Sequence, residues 1–336
     1  MHNLKIILAN RCAGAFWSIE ELFSNISNAF PGWIQSTTVS APQSRANLSA
    51  ILANLRWAWS LRGGDLIHQT GAIHYILLAI WRCPVILTIH DLRFIDEACG
   101  LKRWLYWWWW LYLPCLRANQ VTVISDFTRD RLLDICRVNA TKVRVIPDCV
   151  GPEFSAALKP WPAGTVRVLQ VGTTTNKNLD RVLAACAGLP IQLTILGRLS
   201  ASQEAQLASQ GVAYDNHHDL TKQEVVDLYA ACDLVMFVST YEGFGMPILE
   251  AQAIGRPVIT SNISPMREVA GTGALLVDPF DVAAIRNGLT QLLDNAEFRA
   301  QLVRDGFDNV TAYSAEAVAG QYAEMYREVV ERVGRC

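Results

Sequence analysis

Two glutamates, Glu242 and Glu250, bracket the run Glu-Gly-Phe-Gly-Met-Pro-Ile-Leu-Glu, and this arrangement carries most of the chemistry legible in the chain. Gly243 and Gly245 lack a Cβ and permit a tight turn with close backbone approach to a ligand, while Pro247 has the fixed φ suited to a first helical turn. Such a loop presents unpaired N–H groups at a helix amino end, whose partial positive charge suits a diphosphate or a ring of hydroxyls. Glu250 falls in the first helical turn, where a carboxylate can accept two hydrogen bonds from a vicinal diol such as a ribose. Glu242, on the loop side, can reach a transferred group beyond the phosphates or the phosphate surroundings themselves.

A second constellation is Val171-Gly-Thr-Thr-Thr-Asn-Lys-Asn178. Gly172 allows a turn close to a ligand, Thr173 to Thr175 supply hydroxyls, and Lys177 offers a cation for a departing diphosphate. The run is neither a Walker A loop nor Gly-x-Gly-x-x-Gly. Alone it also fits a polar turn capped by Asn176 or Asn178; beside the glutamate loop it reads as a phosphate cradle.

His90 closes an apolar run and is followed by Asp91, so it reads either as a sugar ligand or as a strand-ending histidine, the first being favoured. His68 ends a similar run and is the second choice, whereas His217 and His218 read as a solvated loop without a metal-spaced partner. No Asp-x-Asp motif and no Cys-x-x-Cys pair occur, so neither a divalent ion nor zinc is implied, and no cofactor is expected.

These residues need a scaffold that brings loops together. Strand-like runs at Leu4–Ala9, Asp65–Gln69, Val85–His90, Val121–Ser125 and Val143–Pro147 alternate with helix-like runs, and the rhythm restarts at Val166–Val171. Continuously apolar strands predict parallel sheets covered on both faces. The expected fold is α/β, with two Rossmann-like doubly wound parallel-sheet domains facing a cleft. Residues 1–150 are expected to form the first domain, 151–164 a linker with three prolines, and 165–312 the second. Residues 313–336 form a helix packing back toward the first domain. In such sheets ligands bind outside the carboxyl ends of the strands.

Half of the 336 residues are hydrophobic and 18% are charged, which excludes a disordered chain, and a net charge of −2 argues against nucleic acid as a partner. Nine scattered cysteines fit reduced thiols in a cytoplasmic protein. Met1–Asn10 reads as a first strand rather than a secretory signal, and no apolar run reaches the roughly 20 residues of a membrane span.

The motifs together resemble those of retaining glycosyltransferases of the GT-B fold, family 4. The resemblance rests on Val171–Asn178, Leu228-Tyr-Ala-Ala-Cys-Asp-Leu234, Ser239–Val258, Arg267-Glu-Val269 and Leu276-Val-Asp-Pro279, with looser matches at Val121–Phe127 and Ile89–Asp91. It implies a nucleoside-diphosphate sugar as donor, with Lys177 on the diphosphate, Glu242 on the sugar and Glu250 on the ribose. Gly172, Thr173, Asn178, Gly243, Pro247 and the backbone of Phe244, Gly245 and Met246 would complete that site, with Gly14 in the reduced amino-terminal loop Ala13-Gly-Ala15. His90, Lys177 and Glu242 would be catalytic; His68, Asp91, Ser125 and Trp108 lie on the acceptor side. Many members carry an arginine shortly before the lysine; threonines stand there in this chain, leaving phosphate neutralisation to Lys177, hydroxyls, helix dipoles or a residue such as Arg198. The two glutamates are too far apart for a retaining glycosidase pair and read as binding groups. The leaving diphosphate would help deprotonate the incoming hydroxyl of a glycan or lipid-linked saccharide, in bacterial cell-surface polysaccharide synthesis. Rival readings are a non-catalytic carbohydrate- or partner-binding subunit and, on the same architecture, a nucleotide-sugar epimerase or a phosphorylase-like enzyme.

Residues 101–113, Leu-Lys-Arg-Trp-Leu-Tyr-Trp-Trp-Trp-Trp-Leu-Tyr-Leu, stand apart from that pattern. They read as a buried helix, as an acceptor platform, or as a contact placing the protein peripherally on the inner face of a membrane.

Overall fold

The computed structural model describes residues 3–12, 18–45 and 47–334. They form two compact units, Met1–Cys149 with Ala315–Cys336, and Val150–Ser314.

The first unit is built on six parallel strands, β1 (Leu4–Asn10), β2 (Ile34–Ser40), β3 (Leu66–Gln69), β4 (Val85–Ile89), β5 (Gln120–Val123) and β6 (Val143–Val145), in the order β2-β1-β3-β4-β5-β6. Strands β3, β4 and β5 are buried along their whole length; β4 reads as an unbroken apolar or β-branched run, while β3 and β5 also bury His68, Gln69 and Gln120. β2 lies at the edge with its Gln35–Thr38 stretch exposed, so it carries no apolar signal and was not anticipated. The Ala315–Gly334 helix belongs to this unit: Tyr322 packs 5.7 Å from Phe23, and Glu328 accepts from Arg144 at 2.9 Å.

The helix expected over Ile73–Trp81 is a 3₁₀ segment, His74–Ala79. The tryptophan-rich run is helical from Gly100 to Arg117 but widens to a π-turn over Trp107–Tyr112. Pro114 explains the widening, because it has no N–H for the Trp110 carbonyl four residues back and its ring crowds that oxygen. His74 Nδ1 takes up the freed carbonyl at 2.7 Å.

The second unit has strands β7 (Val166–Val171), β8 (Ile191–Leu196), β9 (Tyr214–His217), β10 (Leu234–Phe237), β11 (Val258–Ser261) and β12 (Leu275–Val277), all parallel, ordered β12-β11-β10-β7-β8-β9. The chain starts at β7, winds outward through β8 and β9, then returns to the other side of β7 as β10. The carboxyl ends of β7 and β10 therefore flank the point where strand order reverses, the crevice that binds ligands in open α/β sheets.

Three expectations are corrected here. Residues 151–164 are packed onto the second sheet's unit rather than running as a free linker: the Ala157 N–H donates to Ile254 O at 3.1 Å, and Trp161 lies 3.7 Å beneath the Arg299 guanidinium. β9 was read as loop because, like β2, it is an exposed polar edge. His217 consequently ends a strand and has an acidic partner, Asp215 Oδ2, at 2.6 Å. The Ala296–Val310 helix was also unanticipated.

Candidate active site

The loop after β7 is shaped by two residues with positive φ. Gly172 has φ +89°, and a Cβ there would meet the Lys177 side chain at 2.8 Å, so only glycine lets the lysine fold back over the strand end. Asn178 has φ +60° and is buried; its amide donates to the carbonyls of Val238 (3.0 Å) and Pro279 (2.7 Å), and its oxygen accepts from Arg181 at 2.9 Å. The Asn178 side chain thus ties loops together, correcting its assignment as a donor contact. Asn176 bridges to the second loop, donating to Tyr241 O at 3.0 Å, while its carbonyl accepts from Thr240 N at 2.8 Å.

Across this bridge Lys177 Nζ meets Glu242 Oε1 at 2.6 Å, with the two side chains 20% and 16% exposed. The ammonium also lies 4.5 Å from the centre of the Phe237 ring at the end of β10. A cation and a carboxylate from neighbouring strand ends therefore meet at the reversal point, each still reachable from outside. Gly245, at φ +127°, turns the chain into the Met246–Ile254 helix, with Pro247 in the first turn as expected. At its amino end the Ile248 N–H donates to Gly245 O at 3.0 Å and Pro247 has no N–H, which leaves the Met246 N–H without an intrahelical acceptor. Phe244 is buried with its ring 6.0 Å from Tyr313, so only its backbone can face a ligand.

Glu250 projects from this helix and accepts a 2.6 Å hydrogen bond on Oε2 from the Tyr229 hydroxyl. Burial pushes its carboxyl up to about 7, with Glu153 adding to the rise and Tyr229 and Lys177 opposing it. Tyr229 is fully buried on the Lys222–Ala231 helix, whose carboxyl end receives the buried Arg256 guanidinium at the carbonyls of Tyr229 (3.1 Å) and Ala230 (2.7 Å). Glu153 itself pairs with Lys222 at 2.5 Å. Tyr229, Glu153 and Lys222 were not singled out from sequence, although Tyr229 lies inside the quoted Leu228–Leu234 motif. Thr173 donates its hydroxyl to Arg198 O at 2.7 Å, and the exposed Arg198 guanidinium is paired with Asp219.

In the first unit His90 sits at the end of β4. Its Nε2 lies 2.8 Å from the Thr70 carbonyl and must donate to it; Nδ1 lies 3.6 Å from Asp148 Oδ1. Burial pushes the imidazole down, but Asp148 and the Thr70 carbonyl outweigh it and hold the group above its ordinary value. His90 borders a cleft of about 320 Å³ within this unit, with Arg11 and Asp91 as further polar groups and Phe94, Tyr106 and Trp110 as an aromatic wall.

His68 is not on an acceptor face. It is completely buried, its ring nitrogens 2.7 Å from the Tyr326 hydroxyl and 2.6 Å from the Thr88 hydroxyl, and burial pushes its pKa down to about 3. Ser125 is the cap of the Asp126–Cys136 helix, accepting from Thr128 N at 3.1 Å, and is buried. Trp108 packs edge-on against Tyr112 at 5.2 Å and does not line the cleft; Tyr106 and Trp110 of the same run do. Helix geometry explains the shift, since residues three to four apart share a face. Gly14 lies outside the described residues.

Two doubly wound units, with a lysine–glutamate pair and a glycine turn at the reversal point of the second, define the GT-B class of glycosyltransferases. Residues 26–154 match the model described as Glycosyltransferase Family 4, and residues 157–308 match Glycosyl transferases group 1. The chain belongs to this glycosyltransferase family. It is 28% identical over 302 residues to O-antigen chain mannosyltransferase B of Escherichia coli, covering 81% of this chain and 77% of that one. The MMP alpha-(1->4)-mannosyltransferase of Mycolicibacterium hassiacum is 25% identical over 298 residues, covering 81% and 72%. Among solved structures, sucrose-phosphate synthase from Thermosynechococcus elongatus superposes with a TM-score of 0.76 at 18% identity, covering 98% of this chain and 100% of that one. Anabaena Alr3699/HepE, in complex with UDP and glucose, superposes with a TM-score of 0.77 at 15% identity, covering 97% and 100%.

Proposed function

We propose that the protein is a retaining hexosyltransferase that moves a sugar from a nucleoside-diphosphate donor to a hydroxyl of a glycan or lipid-linked saccharide, in bacterial cell-surface polysaccharide synthesis. The observation that carries this reading is the 2.6 Å contact of Lys177 with Glu242 at the reversal point of the second sheet, with Glu250 in the helix that follows. In this reading Lys177 leaves Glu242 for the diphosphate when donor binds. Glu242 then accepts from sugar hydroxyls, and Glu250 Oε1 accepts from the ribose diol while Tyr229 holds Oε2. The sugar is a hexose, mannose being the first to test because similar proteins are named as mannosyltransferases.

The C1–O bond to the diphosphate breaks as the acceptor oxygen bonds to C1 on the same face, and the acceptor proton passes to the departing phosphate oxygen. No protein nucleophile is assigned. Lys177 and the Met246–Ile254 helix amino end stabilise the leaving charge, the task a divalent ion would otherwise perform. The reaction is accordingly metal-independent in this reading. The acceptor binds beside His90 and Asp91, its sugar ring against the aromatic wall.

The test is release of nucleoside diphosphate across a panel of UDP-, GDP-, ADP- and dTDP-sugars with oligosaccharide acceptors, followed by NMR of the product anomer. Release with an unchanged anomeric configuration is expected. No release from any donor would overturn the transferase reading, an inverted product the retaining one, and activity lost in EDTA and restored by manganese the metal-independent one.

A further inference from the structure

We infer that the first unit docks on an anionic lipid surface through the amino edge of its sheet and the outer face of the helical run descending to that edge. The Leu48–Ser60 helix, the His74–Ala79 turn and the Leu113–Arg117 helix end where the chain enters β3, β4 and β5. Trp59 and Trp81 stand there 60% and 72% exposed. The guanidiniums of Arg62 and Arg82 lie 5.5 and 5.9 Å from the Trp59 ring, and that of Arg117 lies 5.1 Å from the Trp81 ring. Lys142 donates to Leu116 O at 2.7 Å, and Arg332 to the Gln120 side chain at 3.2 Å. The partners of these five cations are carbonyls, an amide and indole faces. Among the described residues no carboxylate forms an ion pair with them, and the nearby Asp65 accepts from Lys5 N at 2.8 Å.

The helical run from Gly100 to Arg117 ends on this edge and continues the apolar surface. Leu101 (72%), Trp104 (54%), Leu105 (40%), Trp109 (50%) and Leu116 (51%) are exposed at helical spacing. Lys102 and Arg103 lie beside its upper end. Exposed indoles and leucines rimmed by guanidiniums match the headgroup level of a bilayer, where indoles sit among carbonyls and cations meet lipid phosphates.

Other occupants fit less well. A nucleic acid would use the cations and indoles but leave Leu101, Leu105 and Leu116 without a partner. A second copy joined through the same edge would set five cations against five across a two-fold axis. The inference stands on the first unit's surface and does not depend on the assigned donor chemistry.

The test is co-sedimentation of the full chain with phosphatidylcholine vesicles, with or without phosphatidylglycerol, together with quenching of tryptophan emission by brominated lipids. Binding is expected only with the anionic lipid, weakening steeply with salt, with tryptophan emission quenched. Arg62→Ala with Arg82→Ala, and Trp59→Ala with Trp81→Ala, should each weaken it about tenfold or more in protein shown folded by circular dichroism. Absence of wild-type binding, equal binding to neutral vesicles, or unquenched emission would overturn the inference without any variant. So would folded variants that bind like wild type, RNA binding in place of lipid, or concentration-dependent dimers without lipid binding.

Discussion

The carboxyl ends of the two sheets treat their polar residues in opposite ways. In the second unit Lys177 and Glu242 satisfy each other yet remain partly exposed, so a ligand can replace either partner. In the first, His68 lies within β3 and His90 just past the end of the neighbouring β4; His68 is closed into the core by Tyr326 and Thr88 while His90 keeps one face on a cleft. The candidate functional side chains are those whose partner can be exchanged. A structural one has partners whose loss would leave buried polar atoms unpaired.

The largest effects should fall on the exchangeable pair. Lys177→Ala and Glu242→Ala should each lower kcat by about 10²- to 10³-fold, the range for removing one group that stabilises developing charge. Thermal stability should fall less than on losing a fully buried partner, because the charge left behind keeps some access to water. Steady-state rates and calorimetry on the same preparations check both. Loss of folding in either variant would break the comparison, since the pair would then be structural.

The histidines should separate in the other direction. His68→Ala removes two hydrogen bonds and opens a cavity beside Tyr326, so denaturant unfolding should show a loss of about 2–4 kcal/mol with near-normal activity in the remaining folded protein. His90→Ala should lower kcat roughly 100-fold by loosening the acceptor held beside it. In the wild type, protonated His90 beside Asp148 contributes stability that is present at low pH and lost as pH rises through its elevated pKa. Asp148→Asn should move the His90 imidazole resonance to a lower titration midpoint by NMR. An unmoved midpoint would mean that Asp148 does not hold the ring.

The contrast also shows what sequence could reveal. The turns of the two loops were legible because Gly172 in one and Gly245 and Pro247 in the other are residues that local backbone geometry demands, and buried strands such as β10 because burial on both faces leaves an apolar run. The edge strands β2 and β9 were not, since exposed strands carry polar residues and take their order from pairing with a distant neighbour. The same limit explains His68: an Ile-His strand end does not announce that a tyrosine 258 residues later will cap it. It also explains Tyr229, whose importance arises from a helix packing that places its hydroxyl on Glu250.

Glu250 yields a smaller effect that tests whether function and stability conflict at one atom pair. Its folded pKa, about 7, lies above the ordinary 4.5, so between those values the folded protein retains a proton that the unfolded chain has released. This contribution to stability is fully present below pH 4.5, declines as pH rises, and is lost once pH passes about 7. In the proposed donor site the ribose diol needs the ionised acceptor, so donor affinity should rise roughly tenfold between pH 6 and 8, about the worth of a hydrogen bond to a charged group. Glu250→Gln removes the ionisation: its melting temperature relative to wild type should be higher at pH 8 than at pH 5, and its weaker donor binding should no longer depend on pH. Isothermal titration with a nucleoside-diphosphate sugar, whose phosphate diesters stay ionised across this range, and thermal scans at both pH values check the two halves. If the variant bound with the wild-type pH profile, the titrating group would be a different one, and Tyr229 would be holding a carboxyl with no part in donor recognition.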